Sequence, residues 1–287
     1  MTTRTQLTFR QYLQQELEGV YTPSEISVLS RMIFEDIPEV TPAMLTTYKI
    51  NHLSQLHRGK IEEIVDRLKT GEPIQYVLGK TEFYGLMFHV SPHVLIPRPE
   101  TEELVEWVLS EAGTHKLKLL DIGTGSGCIA VTLAKKLPGS DVSACDVSEK
   151  ALEVAALNAR TNQVSVHCFH QDVFDAFTGT PPYDVVISNP PYVLESEKKE
   201  MEDNVLKFEP PQALFVPDES PLLFYERIAN LALEILPIGG KLYFEIHQSK
   251  AKEVEAMLQS KGYMNVQVKN DIAGNARMVR AVRVLTA

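Results

Sequence analysis

The stretch Leu119–Val131, LLDIGTGSGCIAV, decides the fold. Its first residues are apolar around Asp121 and predict a buried strand; its last residues, Cys128 onward, start a helix. Between them Gly123, Gly125 and Gly127 make a turn in which the backbone can bend sharply and approach a ligand closely. The GxGxG spacing differs from the GxGxxG of pyrophosphate binders. Asp146 ends the next apolar segment, nineteen positions after Gly127, where an acid can accept hydrogen bonds from both hydroxyls of a ribose. A nucleoside ligand without a pyrophosphate fits this set, and S-adenosylmethionine is such a ligand. The candidate cofactor residues are Asp121, Gly123, Thr124, Gly125, Ser126, Gly127, Asp146 and Val147. After a third strand come Asp172, able to accept from an adenine amine, and Val173, able to pack on the ring. Glycines at strand-to-helix turns and Asp in turns also occur for backbone reasons alone. The ordered set of four features, in strand–loop–helix context, is what points to a nucleoside.

Outward from this loop, strands and helices alternate. Strands are expected at KLKLLDIG, DVSACDV, VSVHCFH, YDVVISN, KLYFEIH, YMNVQVKND and RMVRAVRVL. Helices are expected at TEELVEWVLSEA, GCIAVTLAKKL, SEKALEVAALNAR, SPLLFYERIANLALEIL and SKAKEVEAMLQSK. This is the pattern of an α/β fold with a doubly wound, mostly parallel seven-stranded sheet. The last two strands are joined by DIAGNA, too short for a helix, and predict an antiparallel hairpin at the edge.

Upstream, the chain reads as a small helical bundle from about Phe9 to Thr70. Thr22, Pro23 and Glu25 form a capping-box start, followed by Ile26, Leu29, Met32 and Ile33 at helical spacing. A second Thr-Pro start falls at Thr41, and Ile61, Ile64, Val65 and Leu68 form another apolar face ended by Gly71. Between Gly71 and Pro99 the aromatic and β-branched residues around Gly85 suggest a hairpin. The expected organisation is a helical domain over residues 1–75, a hairpin linker over 76–99 and an α/β domain over 100–287.

The fourth strand ends in VVISNPPYVL, Val185–Leu194. A buried strand can simply end in a proline turn. Here the corner also has the parts to hold a flat, nitrogen-bearing group. The side-chain oxygen of Asn189 and the carbonyl of Pro190 can accept two N–H bonds, which aims the nitrogen lone pair at a methyl donor. The rings of Pro190 and Pro191 stiffen the backbone, and Tyr192 can stack on the planar group. Asn189, Pro190 and Tyr192 are the catalytic candidates, with Asn189 also beside the cofactor.

IPRPETEELVEWV, LLDIGTGSGCIA, NPPY and DIAGNAR, in this order, resemble the peptide chain release factor N(5)-glutamine methyltransferase (PrmC/HemK) family. The helical N-terminal part, GEPIQYVLG and EFYG resemble it too, so the likeness covers nearly the whole chain. It implies a Rossmann-like class I methyltransferase fold. It also implies methylation of the glutamine amide in the Gly-Gly-Gln loop of translation release factors, with S-adenosylmethionine as donor and S-adenosylhomocysteine as product. By the same resemblance Asn189 to Tyr192 contact the glutamine, and Arg98, Glu100 and Glu102 belong to a loop that shapes one wall of the site. Glu100 and Glu102 also suit a helix start, where acids favour the dipole. His247, Glu219 and Val173 depart from the family's common residues and bear on cofactor affinity.

A formal charge of −10 argues against a broad nucleic-acid surface. No apolar run approaches the roughly 18–20 residues of a membrane span, and no secretory signal opens the chain. Three isolated cysteines fit a reducing compartment. The expectations are therefore a cytoplasmic enzyme, monomeric, without a metal site, without stable nucleic-acid or membrane binding, and with release factors as partners. His167, Cys168 and His170 are read as packing, since neighbouring strand positions face opposite ways. One rival is a methyltransferase acting on exocyclic amines of nucleic acids, which would carry a basic target-recognition region. The other is a non-catalytic binding protein of the same fold.

Overall fold

The computed structural model describes residues 7–37, 47 and 49–285. The Thr-Pro start at Thr41 lies outside the described residues. The chain divides into two compact units: the residues up to Gly79 together with Glu202–Phe208, and Lys80–Met201 together with the residues from Glu209 on.

The first unit holds α1 (Phe9–Leu17), α2 (Pro23–Glu35), α3 (Gln55–Lys69), α4 (Ile74–Leu78) and the short helix Asp203–Phe208. Thr22 caps α2 reciprocally: its side chain accepts from the Glu25 amide, while its own N–H donates to Glu25 Oε2 at 2.6 Å. The helical faces meet in one core of Phe9, Leu13, Leu17, Ile26, Leu29, Ile33, Phe34, Ile61, Ile64, Val65 and Leu68. Arg67 closes α4 onto α3, pairing with both oxygens of Glu72 and donating to the Tyr76 and Val77 carbonyls. Helix Asp203–Phe208 comes from late in the chain, and Lys207 Nζ bonds the Thr70 carbonyl at 3.2 Å.

The second unit opens with β1 (Lys80–Phe83) and β2 (Leu86–His89), an antiparallel hairpin turned at Tyr84 and Gly85. There follow α5 (Pro99–Ala112), β3 (Lys118–Ile122), α6 (Cys128–Lys136), β4 (Asp141–Asp146), α7 (Glu149–Thr161), β5 (His167–His170) and β6 (Val185–Ser188). After them come β7 (Val193–Leu194), α8 (Asp203–Phe208, of the first unit), β8 (Phe215–Val216), α9 (Leu223–Ile235), β9 (Lys241–Glu245), α10 (Ala251–Ser260), β10 (Met264–Asn270) and β11 (Ala276–Val282). The sheet order is β10-β11-β9-β6-β3-β4-β5. β3, β4, β5, β6 and β9 are parallel; β10 and β11 pair antiparallel at the edge. The mostly parallel seven-stranded sheet and its edge hairpin are thus as expected.

Both faces of the sheet are covered, which is why the central strands read as apolar runs rather than alternations. Leu120, Val186, Leu242 and Phe244 join Tyr225, Ile228 and Leu258 on one face. Leu119, Val185, Ile187 and Tyr243 join Leu104, Trp107, Ile129 and Leu133 on the other. Strand order reverses between β3 and β6, and open α/β sheets bind ligands at the carboxyl ends of strands beside such a reversal.

The hairpin expected as a linker lies within the second unit. The side chain of Asn158 on α7 brackets its end, accepting from His89 N at 2.7 Å and donating to His89 O at 2.9 Å. The short parallel pair β7–β8 was not legible in the sequence: two residues per strand are too few to show a period. No described helix is long and apolar enough to cross a membrane. Among the described residues no group of three or more His, Cys, Asp or Glu is arranged to hold a metal ion.

Candidate active site

A cleft of about 300 Å³ opens at the carboxyl ends of β3, β4, β5 and β6. The loop after β3 forms its floor. Gly123 and Gly125 have φ of 72° and 54°, and a Cβ on either would meet nothing within 4 Å, so the backbone there faces open space. Gly127 differs. Its φ is 79°, and a Cβ would sit 2.9 Å from Ala155 Cβ and 3.1 Å from Ala155 Cα on α7. The third glycine therefore serves the close approach of loop and helix, not ligand access. Gly127→Ala is expected to lower the melting temperature by several degrees, since backbone strain and a backbone clash add to about 2 kcal/mol or more. Thermal unfolding of the purified variant checks this.

Asp146, at the end of β4, lines the cleft and holds the loop. Its Oδ2 accepts from Gly125 N and its Oδ1 from Ser148 N, both at 2.9 Å. Burial raises its pKa, against those amide bonds. Each oxygen keeps a lone pair for a hydroxyl in the cleft. Val147 and Phe174 line the same space and are 52% and 47% exposed, apolar surface suited to the faces of a planar ring. Thr124, Ser126, Asp172 and Val173 also line it. Asp172 Oδ1 caps its own turn, accepting from Phe174 N at 2.9 Å, which leaves its other oxygen for a ligand.

Asp121 is placed differently from expectation. It is not in the cleft wall but beneath the loop, 1% exposed, with Oδ2 accepting from the Thr124 hydroxyl at 2.6 Å. Burial pushes its pKa up to about 7. The reason is strand alternation, visible only when the faces are assigned. A carboxyl protonated in the fold at a pH where the unfolded chain has lost its proton loses stability as pH rises. The window runs from about 4, its ordinary value, to about 7. Asp121→Asn is expected to flatten the melting temperature against pH across that window, an effect on the order of a few kcal/mol. A melting curve at each pH, without added cofactor, checks it.

The Asn-Pro-Pro-Tyr corner follows β6. Asn189, Pro190 and Pro191 line the cleft. Tyr192 does not. Its backbone N–H donates to Leu214 O beside the β7–β8 pair, and its side chain is not one of those that line the cleft. The Tyr192 hydroxyl donates to Glu245 Oε1 at 3.1 Å, and its ring meets His247 edge to face at 5.9 Å. Stacking on a substrate amide, the role expected of Tyr192, does not follow from this placement.

Two residues that sequence reading passed over complete the corner. Asn189 Nδ2 donates to Thr101 Oγ1 at 3.3 Å, and Thr101 Oγ1 donates to Glu245 Oε2 at 2.6 Å. Glu245 ends β9 and is 1% exposed; burial raises its pKa, opposed by the Thr101 and Tyr192 bonds and by nearby Arg277. The signal available was an acid closing an apolar strand, in FEIH, and a Thr at the helix start within IPRPETE.

Arg98 lines the cleft and pairs with buried Glu209 at 2.6 Å, whose other oxygen accepts from Ile96 N at 3.3 Å. This fixes the Pro-Arg-Pro wall. Glu100 stands in the first turn of α5 and is not in that wall. Glu102 accepts from Tyr84 N at 2.7 Å and so ties α5 to the hairpin. His93, Gln171, Gln212 and Phe224 line the cleft without having been foreseen. Cys128 also lines it, but burial pushes its thiol up to about 12, which keeps it from acting as a nucleophile.

Comparison with known proteins agrees with this architecture. The model of the Methyltransferase small domain matches residues 100–208, and that of the PrmC N-terminal domain matches residues 8–79. A release factor glutamine methyltransferase of Bacteroides thetaiotaomicron is 47% identical over 95% of this chain and 98% of its own. One of Flavobacterium psychrophilum is 42% identical over 95% and 97%. Among solved structures, a methyltransferase from Pyrococcus furiosus superposes with a TM-score of 0.51 at 18% identity, covering 71% of this chain and 91% of its own. The 16S rRNA N2 G1207 methyltransferase of T. thermophilus, in complex with AdoMet and guanosine, gives the same score and identity, over 71% and 49%. These two likenesses speak to the fold.

Proposed function

We propose, since this chain belongs to the family of release factor glutamine methyltransferases, that it methylates the side-chain amide of the glutamine in the Gly-Gly-Gln loop of translation release factors, using S-adenosylmethionine. The observation that carries the reading is the convergence on one cleft of the open glycine loop, Asp146 and the Asn189–Pro191 corner.

The residues fit the cofactor by their donors and surfaces. Gly123 and Gly125 present bare backbone, Asp146 offers acceptors for ribose hydroxyls, and Val147, Val173 and Phe174 offer apolar faces for adenine. S-adenosylmethionine, when bound, supplies an electrophilic sulfonium methyl group. The chain's own task is to aim a poor nucleophile. An amide nitrogen has its lone pair delocalised into the carbonyl. Asn189 Oδ1 and the Pro190 carbonyl accept its two N–H groups, which leaves the π face toward the cofactor side of the cleft. No strong base is required, because the proton becomes acidic only once the methyl is transferred. The helical first unit is assigned to release factor recognition, which supplies remote binding that a short peptide lacks.

The test is methyl transfer from labelled S-adenosylmethionine to purified release factor, to the same factor with its Gly-Gly-Gln glutamine changed to alanine, and to RNA and DNA. Label on the unmodified factor alone is expected. Label on nucleic acid in its place would shift the reading to an exocyclic-amine enzyme, and no label at all would shift it to a non-catalytic protein of this fold.

A further inference from the structure

We infer that Thr101 and Glu245 are positioning residues that orient the Asn189 amide and make the corner selective for asparagine over aspartate. The inference rests on reading Asn189 as the residue that holds the substrate amide.

Directionality carries the argument. A carboxylate can only accept, and a threonine hydroxyl has one proton. Glu245 Oε2 lies 2.6 Å from Thr101 Oγ1, the length of a charge-assisted O–H···O bond. The bonds from Thr101 and Tyr192 and the nearby Arg277 guanidinium favour the carboxylate form of Glu245 against its burial. With that carboxylate as acceptor the Thr101 proton is committed to Glu245, and Thr101 presents only lone pairs on its other side. The group 3.3 Å away on that side must be a donor, so Asn189 turns Nδ2 to Thr101 and leaves Oδ1 to accept from a substrate amide. Glu245 is kept from swinging by the Tyr192 hydroxyl on Oε1, and both Thr101 and Glu245 are buried. Three elements far apart in sequence, the start of α5, the end of β9 and the corner after β6, therefore set the polarity of one side chain.

An aspartate at 189 would set an acceptor against an acceptor and add a second carboxylate near Glu245. Glu245→Gln would reverse the chain. The Gln amide donates to Thr101 Oγ1, still accepts from Tyr192, and frees the Thr101 proton for an acceptor at 189. A change harmful in the natural enzyme is then expected to help the aspartate variant.

The experiment measures single-turnover methylation of purified release factor at saturating S-adenosylmethionine, with KM for the donor and a thermal melt for every variant. Thr101→Ala is expected to lower turnover about tenfold with donor KM unchanged, the effect of one lost hydrogen bond, and Thr101→Ser to stay within about twofold. Asn189→Asp is expected to fall about a hundredfold, and Glu245→Gln alone about tenfold. Asn189→Asp with Glu245→Gln is expected to exceed Asn189→Asp alone by about tenfold. A double variant no faster than Asn189→Asp, with its melt intact, overturns the inference. So does a Thr101→Ala enzyme with normal turnover. Asn189→Ala separates the two levels: if it keeps activity, the reading of the corner fails, whereas if it is inactive and the double variant shows no recovery, only the polarity argument fails.

Discussion

Asn189→Ala is expected to lower single-turnover methylation of release factor by at least about a hundredfold, because a reacting nitrogen that loses its aim leaves the near-attack geometry. The fold should stand. Asn189 is only partly buried, and its side-chain bond to Thr101 is 3.3 Å long, so a melt within a few degrees of the natural protein is expected. Donor affinity should change little, since the acceptors of the cofactor side, led by Asp146, are untouched. Loss of turnover with donor binding and melting preserved identifies a residue that acts on the substrate. Near-normal turnover would reduce Asn-Pro-Pro-Tyr to a proline turn.

The second large effect is on cofactor affinity. Asp146→Ala removes the acceptor proposed for the ribose hydroxyls and at the same time frees the Gly125 and Ser148 amides that it holds at 2.9 Å. Losing charge-assisted bonds of this kind costs about 1.5–3 kcal/mol, so the dissociation constant should rise roughly tenfold to more than a hundredfold. Turnover at saturating donor should fall far less, because the residue does not reach the corner. Asp146→Asn retains one acceptor and should lie between. Calorimetric titration decides, and an unchanged affinity would remove Asp146 from the cofactor site.

Much of this molecule is legible along the chain. Glycines between a buried strand and a helix, an acid closing the next strand, and apolar runs alternating with helical periodicity are local patterns. Each follows from φ preferences or from which faces of an element are covered. They suffice for the doubly wound sheet, its edge hairpin and the loop Gly123–Gly127. The capping box at Thr22 is local in the same sense, and forms as read. Asn189, Pro190 and Pro191 are adjacent in sequence and remain adjacent at the cleft.

What tertiary structure alone decided is direction and partnership. Whether Asp121 points into the cleft or beneath the loop depends on which sheet face each alternate residue meets, and the apolar run around it is silent on that point. Tyr192 is bonded through its backbone to Leu214, beside a two-residue strand pairing, and no period can be read from two residues. Gly127 meets Ala155, Asn189 meets Thr101 88 positions away, and Thr101 meets Glu245 144 positions away. A sequence states which groups can donate, accept or bend. Which donor meets which acceptor is settled when the strands are ordered and the helices laid over them, because hydrogen bonds are short-range and act only between atoms the fold brings within about 3 Å.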